Sequence, residues 1–400
     1  MQWKSHDTLW IYLFGAGILL VTAVVYGGYF TPEWKDYQAQ FRETVEKRFG
    51  PEKAGLVPAG IQQVWAAELN RVDRCVTCHQ GMQWAGLESA KNPFRAHPRE
   101  ILAKHPVARY GCTVCHGGQG WATDTEHAHA IALEYWGEPL LASELGKVYS
   151  VSDRKAMMQT NCNLCHRFER QTAGASYIND AKELVHKKGC RACHKINGRG
   201  GVIGPDLMYV GDKSPEQYDY SRLHGINSVF GWHVAHFKDP KAMSQTSIMP
   251  NFNFNTHDAQ ALAMLAMSWK RSRMPLEFLP GAKQADQPTL EELEKERQMM
   301  QGEGAFFVKK TCFICHDVST LGIESAAKIG PDLAKAVTDV PSRFGRQLDD
   351  FLMGPTGTMQ MVLATQIQLT DEEKREAIAK LKVAHQKLLE EEAKTARLKK

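Results

Sequence analysis

The chain has 400 residues, 43% of them hydrophobic, and a formal net charge of +4. That length allows two to four domains, and so mild a charge gives no ground for a nucleic-acid partner. All ten cysteines fall in one repeated pattern, which leaves none for a disulfide.

Leu9 to Phe30 runs 22 residues without a charge, enough for a helix to cross about 30 Å of hydrocarbon. Trp3, Trp10 and Tyr12 mark one interface, and Tyr26, Tyr29, Phe30 and Trp34 the other. A cleaved signal peptide is the rival reading. The apolar run is too long for an ordinary signal core, and no Ala-x-Ala-like cleavage sequence stands near residues 27–32. The expectation is an uncleaved single-pass anchor with Lys4 on the inner side. Trp34, Tyr37, Phe41, Val45 and Phe49 recur at helical spacing, and residues 33–70 read as largely helical.

Cys-x-x-Cys-His then occurs five times: Cys75, Cys78 and His79; Cys112, Cys115 and His116; Cys162, Cys165 and His166; Cys190, Cys193 and His194; Cys312, Cys315 and His316. A lone C-x-x-C fits zinc or a redox dithiol, but neither needs a histidine after the second cysteine every time. The pattern is the c-type haem attachment signature. Two thiols add across the haem vinyl groups, and the adjacent imidazole takes one axial position on the iron. Five covalent haem c groups are expected, and their propionates would turn the mature protein acidic. Haem attachment happens outside the bacterial cytoplasmic membrane. The N-terminus is therefore expected inside, with everything from about residue 31 periplasmic.

Residues 71–170 carry three of the motifs, a density that suggests one shared core with closely stacked haems. The rest is a repeat. Residues 176–270 read as helix, Cys190 motif, glycine-rich loop, Gly204-Pro205-Asp206-Leu207, helix, Met249-Pro250, closing helix. Residues 301–385 read as helix, Cys312 motif, loop, Gly330-Pro331-Asp332-Leu333, helix, Thr358-Met359, closing helix. Thr256 and Thr370 look like the caps of the two closing helices. Between the copies, residues 271–300 read as a linker and a charged helix capped at Thr289. The tail after about residue 386 reads as a solvated helix end.

The fold class expected is mainly α. The domains are a cytoplasmic stretch (1–8), the anchor (9–30), a compact trihaem domain with little regular structure (31–172), a monohaem domain (173–272), a linker and helix (273–300), and a second monohaem domain with a charged tail (301–400).

Each motif supplies one axial ligand, and an electron carrier fills the second position as well. For the first three irons the histidines within reach are His97, His105, His127 and His129, with His97, His105 and His129 the preferred distal ligands. Met157 and Met158, just before Cys162, are alternatives for the third. His233 and His236 read as packing or haem-propionate contacts, and His6 and His385 as exposed.

The two repeated segments resemble monohaem class I cytochromes c in their C-x-x-C-H, Gly-Pro-Asp-Leu, loop methionine and final helix. That resemblance implies Met249 and Met359 as distal ligands. It also implies Pro205 and Pro331 as carbonyl acceptors for the Nδ1–H of His194 and His316. The second copy departs from the pattern: no proline follows Met359, and Met353 and Met361 are nearby rivals.

The order of anchor, trihaem segment and two class I domains resembles the membrane-anchored multihaem subunits of bacterial quinol-oxidising complexes, such as the pentahaem subunit of alternative complex III. This implies electron transfer from quinol to a periplasmic acceptor beside cytochrome b-type or other polytopic subunits. A stand-alone quinol dehydrogenase and a multihaem oxyanion reductase are the competing readings. The motifs' uniform histidines, with enough distal candidates, disfavour the reductase.

Overall fold

A computed structural model of the chain describes residues 5–30, 32–131, 150–151, 156–271, 274–282, 290–325 and 327–398. Trp3, Lys4, Ser272, Arg273 and Thr289, with the side chains of Tyr29 and Phe30, lie outside the described residues. The protein is mainly helical, and its described strands form one short antiparallel pair. It divides into two compact units, residues 1–143 and 144–400.

In the first unit, α1 (Ser5–Phe30) is a continuous helix with its apolar side chains exposed. It is long and apolar enough to cross a membrane. α2 (Glu33–Phe49) buries Phe41 and Val45 completely, against Leu87, Val57 and Ala54. The helical reading of residues 33–70 holds for this helix and one further turn, Pro51–Ala54, and fails beyond them apart from a 3-10 turn at Ala67–Leu69. Gly50 leaves the helix at φ +92°, Pro51, Pro58 and Gly60 follow, and the chain turns into a hairpin of β1 (Val64–Ala66) and β2 (Arg71–Asp73). Gln38 of α2 fixes the turn, because its amide exchanges hydrogen bonds with Gly60 and donates to the Thr77 carbonyl inside the first motif.

In the second unit, the Thr256–Ser268 helix is buried along most of its length. It packs against the Ser176–Lys187 and Val229–Lys238 helices. Its cap is Asn255, whose side chain accepts the Asp258 N–H, rather than Thr256. The Asp371–Leu398 helix does carry the expected box, with Thr370 and Glu373 each bonding the other's backbone N–H. It buries Ala377, Leu381 and Ala384 against Phe307, Val318, Ile323 and Phe351. His385 is not exposed as expected: it turns inward, its Nδ1 3.0 Å from the Ala334 carbonyl.

The repeat is visible hydrogen bond by hydrogen bond. Gly204 N–H donates to Cys193 O and Gly330 N–H to Cys315 O, both at 2.8 Å. Leu207 N–H donates to Lys195 O and Leu333 N–H to Asp317 O, both at 2.9 Å. The Gln159–His166 helix, which carries the third motif, falls in this second unit, past the division at residue 143. Its Asn163 amide donates to Ser268 Oγ at 2.7 Å. The segment expected as a linker is also packed in part: Phe278 is buried, and Met274 Sδ lies 3.0 Å from Cys165 Sγ.

Candidate haem sites

In the first unit the two motifs share one carboxylate. Asp73 ends β2 and is 1% exposed. Its Oδ2 accepts the N–H groups of Cys112 (2.6 Å) and Thr113 (3.1 Å), and its Oδ1 accepts the Thr113 hydroxyl at 2.7 Å. It thus ties the segment entering Cys75 to the start of the second motif. Gly111 and Gly120 leave room for it, since a Cβ on either would fall within 2.4 Å of its oxygens. Nothing in the sequence marks Asp73, because its partners lie about 40 residues away. Asp73→Ala would leave three donors unpaired. At about 1–3 kcal/mol each, the expected loss is about 3 kcal/mol or more in denaturant unfolding of the haem-loaded protein, with Asp73→Asn milder.

The first cysteines of these motifs touch. The Cys75 and Cys112 thiols share a hydrogen bond, which holds Cys75 below the usual thiol range and, with burial, pushes Cys112 up.

Each motif histidine of this unit has a second imidazole opposite it. His79 and His129 have ring centroids 6.2 Å apart at 86°, and His116 and His97 lie 6.1 Å apart at 90°. A metal–imidazole bond of about 2 Å on each side, plus the distance from each nitrogen to its ring centre, gives roughly 6 Å across one iron. Burial, then His129 and His116, hold His79 down to about 4. Burial and His97 lower His116. Both imidazoles are therefore neutral, the form that ligates metal. The Nδ1 of His129 is 2.9 Å from the Thr125 carbonyl, and that of His97 is 3.2 Å from the Pro98 carbonyl. Such acceptors leave Nε2 for the iron.

His105 has the same brace from the Ile101 carbonyl at 3.2 Å. His127 differs: it is exposed, and its Nδ1 pairs with Asp124.

In the second unit, His166 Nδ1 meets Glu169 Oε2 at 2.5 Å. Half-buried Lys182 donates to the His166 and Glu169 carbonyls and closes that turn. Met157, 1% exposed, is core packing. His194 Nδ1 and His316 Nδ1 each donate to the expected proline carbonyl, Pro205 and Pro331, at 2.8 Å. A Cβ at Gly204 or Gly330 would lie 2.5 or 2.1 Å from the imidazole Cε1, so each ring rests on a bare glycine.

Met249 lies in a loop, as the sequence suggests. Met359 does not: it sits in the first turn of the Gly357–Thr365 helix, partly buried against the core, whereas its rivals Met353 and Met361 are exposed.

The sequence suggests packing or a propionate contact for His236. It stacks on Trp232 at 5.0 Å, and its Nδ1 is buried with no hydrogen-bond partner among the described residues. Burial, then His194 nearby, lower it to about 4. His233, by contrast, is satisfied by the Tyr218 hydroxyl at 3.1 Å. An orphaned buried nitrogen beside a motif histidine fits a haem site, where a propionate supplies the missing partner. None of the ten cysteines forms a disulfide.

Residues 178–266 match the family model of cytochrome c. No curated protein and no solved structure matches the chain. The matched segment contains the Cys190 motif, Pro205, His236 and Met249. It supports a c-type cytochrome with covalently bound haem and a haem-based role in electron transfer.

Proposed function

We propose that the chain is a membrane-anchored pentahaem cytochrome c that carries electrons from a membrane quinol-oxidising complex to a periplasmic acceptor. The observation that carries this reading is the pair of facing imidazoles in the first unit, His79 with His129 and His116 with His97. Such pairs fill both axial positions of an iron and leave none for a substrate, the arrangement of a carrier rather than a reductase.

Each haem, when bound, supplies one-electron storage at its iron. The residues do the rest. Cys75 and Cys78, Cys112 and Cys115, Cys162 and Cys165, Cys190 and Cys193, and Cys312 and Cys315 tether the five groups. His79, His116, His166, His194 and His316 take the proximal positions. His129 and His97 take the distal positions opposite His79 and His116, with His105 a further distal ligand. Met249 and Met359 serve the two repeated domains, where Pro205 and Pro331 hold the proximal tautomer. His236 anchors a propionate.

Histidine pairs give lower potentials than histidine–methionine pairs. Electrons therefore run from the motifs that follow the anchor toward the two class I domains. α1 holds the chain in the bacterial cytoplasmic membrane, with the haem domains on the periplasmic side. One spanning helix offers no place to oxidise a quinol and relay its protons. Cytochrome b-type or other polytopic subunits are therefore the partners.

The test is haem reduction by added quinol. Complex purified from native membranes in mild detergent should be reduced fast, and the same chain stripped of co-purifying subunits slowly. Equal rates would overturn the partner-dependent reading in favour of a stand-alone quinol dehydrogenase.

A further inference from the structure

The residues before the fourth and fifth motifs share a conformation but not a side chain. Gly189 has φ +59° and Thr311 has φ +58°. Thr311 shows that this left-handed position tolerates a Cβ, even a branched one, so backbone conformation alone does not explain the bare Gly189. Space does. A Cβ on Gly189 would lie 2.0 Å from the Ala327 Cβ, in the other repeat. A Cβ on Gly201 would fall 2.2 Å from the Ala192 carbonyl of its own repeat and 2.4 Å from Gln366 Oε1 of the other. Met249 and Thr358 line one cavity. Cys193 and Cys315 lie close enough to interact electrostatically. Contacts from both motifs and from both methionine segments therefore converge on one seam within the second unit.

We propose that this seam is a built electron junction, in which Gly189, Gly201, Ala327 and Gln366 hold the Cys193 edge of one haem site against the Cys315 edge of the other. The inference rests on reading residues 301–398 as a second haem domain. One electron crosses, oxidising one iron and reducing the other, with no bond or proton change. Tunnelling falls exponentially with edge separation, so small residues that let the backbones close up set the rate.

The experiment uses the full haem-loaded chain in detergent. Asparagine tolerates positive φ, so in Gly189→Asn the added side chain acts on the Ala327 contact. Two readouts are taken: the magnetic dipolar coupling between the two ferric centres by electron paramagnetic resonance, and their electron equilibration after photoreduction. The native chain should show coupling. Because tunnelling falls exponentially with edge separation, Gly189→Asn should weaken the coupling and slow equilibration several-fold. Thr311→Asn, the same change at the exposed equivalent position, should alter neither. If Gly189→Asn loses haem, Ala327→Leu opens the seam from the other side without touching a motif, and the same slowing is expected. Absent coupling in a native chain with five haems, or unchanged rates in both seam variants, would overturn the junction and leave the electron-carrier reading standing. A chain with no haem at Cys312 and Cys315 would overturn the second haem domain itself.

Discussion

On the pentahaem reading proposed above, replacing His129 with alanine should leave five haems attached and turn one low-spin centre high-spin. His97→Ala does the same to a different centre, and the double variant adds the two effects. The thioether bonds belong to the motifs, so losing a distal imidazole opens one iron without releasing its haem. The structure separates the two centres, because His129 faces His79 and His97 faces His116. Electron paramagnetic resonance of the oxidised protein reads the outcome directly. His127→Ala should change nothing, since His127 is exposed and pairs with Asp124. Two high-spin centres in either single variant would contradict the pairing, and none in either would remove both residues as ligands.

The second large effect is electrochemical. Met249→His should lower one potential by about 0.1 V or more, within the span of about 0.8 V that axial ligands command. Met359→His should lower a different one. Met361→His, at an exposed position, should lower none. A redox titration of the native chain should show a low-potential and a high-potential group, and Met249→His should move one haem between them. If all five potentials hold still in Met249→His, Met249 is not a ligand. His236 is then the next residue to replace, since its buried nitrogen stands near His194.

The five Cys-x-x-Cys-His motifs and the two proline carbonyl contacts are legible because they are local. Two thiols and an imidazole at fixed spacing need no tertiary context. The Gly-Pro-Asp-Leu segment returns to its own motif after only 11 or 15 residues. Ligand pairing is not legible, since His129 stands 50 residues from His79 and only the folded chain brings them face to face. The 33–70 stretch misleads for a related reason. Phe41, Val45 and Phe49 carry a true helical period, but Gly50, Pro58 and Gly60 end it, and the residues beyond gain more from pairing β1 with β2. Met359 misleads differently: the loop expected around it closes into a helix, because Gly357-Thr-Met-Gln-Met-Val-Leu-Ala-Thr lacks an internal breaker. Asp73 carries no signal at all, since a single aspartate reads as a surface charge until three buried donors converge on it.

The most direct test of the account is the intact mass of the chain purified from its native membrane, taken together with its haem-to-protein ratio. The result expected is a chain that retains α1 and carries five haem groups, one on each Cys-x-x-Cys-His motif. A mass short by one or more haems would contradict it, and the peptide left unmodified would show which motif had been misread.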